Sequence, residues 1–546
     1  MASAPPTTWD PASHPVAAAG RQLRAQHLFS GRDIPWLLDD RAERHPGHPF
    51  LIWEPFEGEG RTWTYAAMRT EADEVAAGLA DRGVVAGDRV LLHLHNCPEL
   101  LISWLACARV GAIAVTTNTQ SAGPEISYYA AKAGVRAAVT QPSLAAVVEA
   151  NAGALDWLAV IDHDAGTSPT VAAPRGSITW GDLHGAAADA PRRAPDPLAP
   201  LSVQFTSGTT SRPKAVLWTH ANGLWGAKVN ADHEDLRSDD VHLAFLPLFH
   251  TNAQAYSVLA TLWAGATVVL QPRFSASRFW DVSLRHGCTW CSMVPFMLRA
   301  LAPRPVPEHT YRWWGNGVCS PPSDEHFGVT TMGWWGMTET ITHGTVSDWR
   351  DPAPSMSMGR PAAEYGIAVV DDDDRPVAVG ETGHLKVLGT PGLSLFAEYL
   401  GDPEATAAAF DDDGWFITGD RVTLGAGGWM YFADRDKDML KVGGENVAAS
   451  EVERVIGGVP GVVEAAVVAR RHEMLDEVPV AFVLPGAGAD TAGLADAVLD
   501  ACRAQLASFK VPVDVRIVDE LPRSTLEKIA KAELRRRLAD EDQPRP

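Results

Sequence analysis

Between residues 65 and 82 apolar side chains recur every three or four positions, the spacing that lines one face of an α-helix. Residues 88–94 follow as a short buried strand, leading into a second helical stretch over 98–110. The alternation repeats with a strand at 112–116, a helix through 128–133 that Gly134 closes, and a strand at 137–140. Strands alternating with helices predict a parallel sheet covered by helices. Four prolines between Pro191 and Pro200 predict an extended connector, after which strands at 241–246, 266–270 and 290–294 resume the pattern.

From Tyr365 to about Phe432 the sequence becomes strand-rich, with Gly and Asp turns. The run Asp371–Asp374 reads as a solvated hairpin turn in preference to a metal site. The last hundred or so residues mix short strands (464–468, 478–484) with helices and end in a basic amphipathic segment. Residues 1–28 are rich in Ala, Pro and Ser without periodicity and predict a flexible segment, with order beginning near Ile34. The expected organisation is a flexible segment 1–28, a large α/β region 29–436 of parallel sheets plus a β-rich part, and a small α+β domain 437–546. No internal repeat interrupts it.

Length agrees, since 546 residues exceed the roughly 250–300 that one hydrophobic core serves. A hydrophobic share of 46% with 21% charged residues excludes global disorder. A net charge of −22 argues against nucleic acid and anionic membranes as partners, although one local basic pocket could still hold a small anion. The longest apolar stretch, 100–115, is broken by Arg109 and falls short of the roughly 20 residues a membrane span needs. The first residues lack a basic region followed by an apolar run, so a cytoplasmic location is expected. Cys97, Cys107, Cys288, Cys291, Cys319 and Cys502 sit mostly in apolar sequence and read as reduced thiols; the Cys288/Cys291 spacing has no second pair or nearby His to complete a zinc site.

One segment carries phosphate chemistry. Thr206-Ser207-Gly208-Thr209-Thr210-Ser211-Arg212-Pro213-Lys214 sets five hydroxyls, one glycine and two cations in nine positions. Hydroxyls and free backbone N–H groups can wrap a polyphosphate, Gly208 allows close approach, and Lys214 adds a point charge. The segment is not a Walker loop, because no second glycine precedes the lysine. By itself a Ser/Thr-rich loop is more often a plain turn.

Four further blocks follow in order: Gly336-Met337-Thr338-Glu339, Gly414-Trp-Phe-Ile-Thr-Gly-Asp420, the stretch from Asp434-Arg435 to Asn446, and the stretch from Leu521-Pro-Arg to Lys528. With the loop they resemble the adenylate-forming superfamily of acyl-CoA synthetases, luciferases and adenylation domains, over roughly residues 30–535. Residues 205–214, Trp335-Gly-Met-Thr-Glu-Thr340 and Leu94-His-Asn-Cys-Pro-Glu-Leu100 are most similar to carnitine/crotonobetaine-type CoA ligases.

The resemblance implies that a carboxylate attacks the α-phosphorus of ATP, and that the thiol of CoA then displaces AMP. It places Lys528 between carboxylate and phosphate, Thr338 on the α-phosphate and Glu339 on Mg2+. Thr206, Ser207, Gly208, Thr209, Thr210 and Lys214 would hold the phosphates, and Asp420 and Arg435 the ribose side. Gly315, Asn316 and Gly317 would lie along adenine, with Trp335, Gly336 and Met337 beside it and Trp335 giving the stacking face. Lys437 would be the hinge between adenylation and thioester formation, and Gly443 and Gly444 would line the thiol tunnel. His250, Thr251, Asn252, Trp314 and Trp334 would form the acid pocket. The local alternatives are ordinary ones: Lys528 as a surface lysine after the capping box Ser524–Glu527, Thr338 and Glu339 as a helix N-terminus, Asp420 and Arg435 as turn and ion-pair material, and each Trp as core.

Departures from the family pattern are Glu527 for the usual glycine before the lysine, Ser211 and Ala215 for glycines, Trp335 for tyrosine, and Trp334 where relatives carry Gly or Ser. An indole at 334 shortens the pocket and predicts a short, flat or small polar acid; the tryptophans also allow a cation–π site for a quaternary ammonium. The expected activity is thus an ATP-, Mg2+- and CoA-dependent acid–thiol ligase, with a homodimer left open. Transfer of the activated group to a carrier protein or amine, or a nucleotide-binding regulator without turnover, are the competing readings.

Overall fold

The computed structural model describes residues 9–24, 26–206, 213–435, 439–486, 489, 491–522, 529 and 531–541. The chain divides into two compact units: Met1–Thr119, Tyr129–Phe205 and Ala215–Asp434 form one, and Gln120–Tyr128, Thr206–Lys214 and Arg435–Pro546 the other.

The first unit holds the predicted parallel core. Arg89–His93, Ile113–Thr116 and Ala137–Thr140 are buried along their whole length and pair in parallel, with Val90 opposite both Ala114 and Ala137. They are the centre of an eight-stranded sheet that continues through Pro200–Thr206 on one side and Trp157–Val160 on the other. Helix Pro98–Val110 is buried everywhere except at Glu99, which accounts for its span-like apolar run, and Gly111 ends it at φ 87°. Its one cation, Arg109, is held by Asp73 at 2.8 Å and by both oxygens of Asp39 at 2.7 and 2.5 Å, so the buried charge is paired on all sides. Among the described residues no helix is long and apolar enough to cross a membrane.

A second sheet of nine strands runs through Val241–Ala244, Trp290–Ser292, Trp313–Asn316 and Thr330–Trp335, all paired in parallel, and closes with antiparallel edges. Three of its strands stop short of the sequence-based bounds, because 245–246, 266 and 293–294 turn out of the ladder. The β-rich part is a four-stranded sheet of Gly366–Val370, Thr382–Leu388, Phe416–Leu424 and Met430–Arg435. Asp371–Asp374 forms the expected turn: the Asp371 carboxylate accepts from the backbone N–H groups of Asp373 and Arg375, and Asp374 takes φ 61°.

The N-terminal expectation needs correction. Residues 9–24 are ordered: Pro11–Ser13 and Ala17–Arg24 are helical, and Trp9, His14, Ala19 and Leu23 are buried. A Cβ on Gly392 would lie 2.1 Å from the Trp9 ring, so the glycine is what lets the indole dock; His14 packs edge-on to Phe410, and Thr390 donates to Gln22. Composition gave no sign of this because few anchors hold a polar, Ala-rich segment.

In the second unit Met439–Val442, Glu445–Ala448, Val462–His472, Asp476–Pro485 and Asp514–Ile517 make one sheet. Alternate residues feed two cores, Val467, Ala481 and Val483 on one face, Ala466, Val468, Val480 and Phe482 on the other. The six cysteines are buried free thiols.

Candidate active site

Strand Thr330–Trp335 delivers the central block. A Cβ at Gly336 would lie 2.2 Å from the Tyr256 hydroxyl and 2.5 Å from the Thr342 carbonyl, so only glycine lets the chain pass. Residues 338–340 then form a tight turn, in which Thr340 and Ile341 donate backbone N–H groups to the Met337 carbonyl. Helix capping is therefore not their role. Ile341, a β-branched residue at φ 63°, marks real backbone strain just past the turn.

The turn fixes Thr338 and Glu339. Trp218 Nε1 donates to the Thr338 carbonyl at 2.9 Å; the Thr251 hydroxyl donates to Gln204 Oε1 at 2.8 Å and stands 3.0 Å from Thr338 Oγ1. Glu339 is buried, with its Oε1 accepting from the Tyr399 hydroxyl at 2.9 Å and its carbonyl from the Phe396 N–H at 2.8 Å. Burial, with the Glu339 charge beside it, raises the Tyr399 hydroxyl well above the phenol range, so it stays a donor. Magnesium commonly takes one or two protein carboxylates and completes its shell with substrate phosphates and water, a pattern one oriented glutamate suits.

Asp420 is buried in strand Phe416–Leu424, after Gly419 at φ 74°. Its Oδ2 accepts from Trp335 Nε1 at 2.8 Å, and its backbone N–H donates to Thr418 Oγ1 at 3.1 Å. Two residues expected on different parts of the nucleotide are thus joined directly.

Gly315 meets the tip of Trp334, where a Cβ would lie 1.7 Å from Cη2. Asn316 is tied to its own loop, accepting from the Gly317 N–H and donating to the Val318 carbonyl, and Gly317 has open space where a side chain would be. Trp314 does not join Trp334. Side chains alternate along Trp313–Asn316, and Trp314 packs into an aromatic cluster with Phe279, Tyr311 and Phe327. It is Trp313 that meets Trp334, edge to face at 6.3 Å.

Asn252 opens a π-helix, Asn252–Leu259, and accepts from the Ser292 hydroxyl at 2.8 Å; half-buried His250 precedes it. π-Turns are rare and cluster at functional sites. This one brings Gln254 to Gln204 and Tyr256 to Gly336. Gln204, Gln254, Tyr256, Trp218 and Tyr399, which hold or adjoin the candidate site residues, are neighbours that sequence reasoning missed; a glutamine within the apolar strand Pro200–Thr206 was the one available signal.

Thr206 ends that strand and Lys214 opens the next, Lys214–Thr219. Arg435 ends Met430–Arg435. Gly443 and Gly444, at φ 59° and 90°, join Met439–Val442 to Glu445–Ala448 in the two-residue turn with both φ positive that glycine favours. Ser207, Gly208, Thr209, Thr210, Lys437 and Lys528 lie outside the described residues.

Comparison with known proteins bears on the chain as a whole. Residues 38–400 match the model of the AMP-binding enzymes, and residues 451–528 that of the AMP-binding enzyme C-terminal domain. The chain is 33% identical to crotonobetaine/carnitine–CoA ligase of Salmonella paratyphi C over 93% of its own length and 100% of that protein. Among solved structures, o-succinylbenzoate CoA synthetase of Bacillus subtilis aligns with a TM-score of 0.75 at 26% identity, covering 93% of this chain and 98% of that one. The fatty acyl CoA synthetase of Mycobacterium tuberculosis aligns with a TM-score of 0.66 at 28% identity, covering 93% and 99%. With two thirds of its length and its C-terminal part matched in order, the chain belongs to the AMP-binding enzyme family.

Proposed function

We propose that this protein is an AMP-forming carboxylic acid–CoA ligase acting on a small or flat acid. The observation that carries the reading is the pairing of an end-to-end match to CoA ligases with an oriented set, Thr338, Glu339, Trp335 and Asp420, in which each polar side chain is held by a named neighbour.

Asp420 accepts hydrogen bonds from the ribose hydroxyls with one oxygen already fixed by Trp335, whose ring flanks adenine. Thr338 donates to the α-phosphate, its hydroxyl placed by Thr251. Glu339 would hold magnesium, which when bound would screen the polyphosphate charge. Lys214 and the hydroxyls of 206–211 contact the phosphates. Lys528 offsets the mutual repulsion of the carboxylate and the α-phosphate as the acyl-adenylate forms and pyrophosphate leaves. Lys437 serves as the hinge and Gly443 and Gly444 line the thiol channel from which the CoA thiol displaces AMP. No protein nucleophile takes part. Trp334 against Gly315 closes the acid pocket and favours short or flat acids. His250, Thr251 and Asn252 line its other side. A cytoplasmic site of action fits ATP and CoA as substrates.

Acid-dependent exchange of labelled pyrophosphate into ATP, run over short aliphatic, betaine-type, aromatic and long-chain acids, tests the first half-reaction. Exchange with a short, betaine-type or aromatic acid is expected. Exchange with palmitate alone would contradict the pocket assignment, and exchange with none would contradict the reaction.

A further inference from the structure

Behind Trp334 lies a group of buried polar side chains that the chemistry above does not use. His343 is fully buried, and its imidazole stacks on the Trp334 indole with centroids 4.3 Å apart and planes 14° from parallel. Tyr256 meets the same imidazole edge-on at 4.4 Å. Glu234, directly after helix His220–His233, is also fully buried and brings Oε1 to 3.8 Å from His343 Nε2. The backbone N–H of His343 donates to Asn230 Oδ1.

These groups are poorly satisfied. Both imidazole nitrogens, both Glu234 oxygens and Asn230 Nδ2 have no hydrogen-bond partner among the described residues. Burial, with Asp240 nearby, holds the Glu234 carboxyl well above its ordinary range. Burial, with His233 nearby, holds the His343 imidazole well below its own and therefore neutral. Unpartnered buried polar atoms cost stability, and apolar residues of similar volume would fold better. Groups kept at such a cost in contact with a substrate wall point to a role in that wall.

Trp334 is accordingly held at its tip by Gly315, edge to face by Trp313 and Tyr256, and across its face by the one stacked ring among the described residues, His343. We propose that His343, backed by Glu234, is a specificity-determining positioning residue that fixes the Trp334 indole across the acid pocket and so limits the length of acid accepted. The inference rests on the assignment of Trp334 to that pocket.

The test compares kcat/KM over a homologous series of straight-chain acids in the wild type and in Trp334→Gly, His343→Ala, His343→Phe and Glu234→Met. Removing the indole in Trp334→Gly is expected to raise the preference for the longer acids by about tenfold or more per pocket methylene gained. His343→Ala is expected to move the preference in the same direction with Trp334 still present and with the KM for Mg-ATP unchanged. His343→Phe keeps a ring on the indole and is expected to keep the wild-type length profile. Glu234→Met fills the volume without the carboxyl, and is expected to broaden the profile while raising the melting temperature, a pair of effects that a merely structural role would not produce. His343→Leu takes the place of the alanine variant should that one not fold. A wild-type profile in His343→Ala or →Leu beside a broadened one in Trp334→Gly would overturn the positioning role and leave the pocket assignment standing. An unchanged profile in Trp334→Gly would overturn both.

Discussion

Trp335 Nε1 donates a 2.8 Å hydrogen bond to Asp420 Oδ2, tying the end of strand Thr330–Trp335 to the buried carboxylate of strand Phe416–Leu424. In the proposed function one side chain thereby serves two purposes: its ring offers a stacking face for adenine and its N–H orients the ribose acceptor. Replacing Trp335 by Phe keeps the face and removes the N–H. A hydrogen bond to a charged group contributes about 1.5–3 kcal/mol, so the KM for ATP should rise by about ten- to a hundredfold. The KM for the acid should stay near the wild-type value. Initial-rate kinetics with each substrate varied in turn check this.

Tyr399→Phe probes the proposed magnesium site without touching the carboxylate itself. Loss of the 2.9 Å donor removes one of the contacts that orient Glu339, and the Mg2+ concentration for half-maximal rate should rise by about fivefold to tenfold, corresponding to roughly 1–1.4 kcal/mol. Glu339→Gln should raise it further. Magnesium titrations at fixed ATP distinguish the two variants.

Gly315→Ala would push a methyl group to within 1.7 Å of Trp334 Cη2, a distance that no side-chain adjustment at 315 relieves. The indole must shift, and overpacking of this kind costs about 1–3 kcal/mol. Denaturant midpoints should fall accordingly, and a second substitution, Trp334→Phe, should restore much of the loss. Recovery of stability in the double variant is the decisive readout.

The N-terminal segment is a working part of the fold. Trp9→Ala removes an indole seated on Gly392 and should destabilise the first unit by about 3–5 kcal/mol. A pH dependence accompanies it. Burial holds His14 down to about 4 from 6.5, so the unfolded chain takes up its proton before the folded one does. The His14 contribution is fully present above pH about 6.5 and declines as pH falls toward about 4, by a total near 3 kcal/mol. Buried His93 and His242, both held down to about 3, act in the same direction. His14→Phe should flatten part of the stability loss between those pH values, measured by urea unfolding at each pH.

Much of this architecture is written in local pattern. Buried strands such as Arg89–His93 and the glycines that end helices follow from hydrophobic runs and from φ requirements that few residues meet. The blocks that carry Gly336, Thr338, Glu339 and Asp420 are legible in their order along the chain. What escaped depends on contacts distant in sequence. The docking of Trp9 is decided by a glycine nearly four hundred residues away, and the Trp335–Asp420 bond spans 85 positions. The π-helix Asn252–Leu259 carries an apolar pattern that an α-helix would share. The misplacement of Trp314 was avoidable: adjacent residues of a strand face opposite ways, so only one of Trp313 and Trp314 could meet Trp334.

The central claim is acid activation followed by transfer to CoA, and the most direct measurement is AMP and acyl-CoA formed in one reaction. The protein is incubated with Mg-ATP, CoA and the acid that supports pyrophosphate exchange, beside Lys528→Ala. Equal amounts of AMP and acyl-CoA, both dependent on acid and CoA and both lost by about a hundredfold or more in the variant, are predicted, in keeping with removal of a charge that acts at the transition state. AMP released at the same rate with and without CoA, with no thioester formed, would contradict the claim.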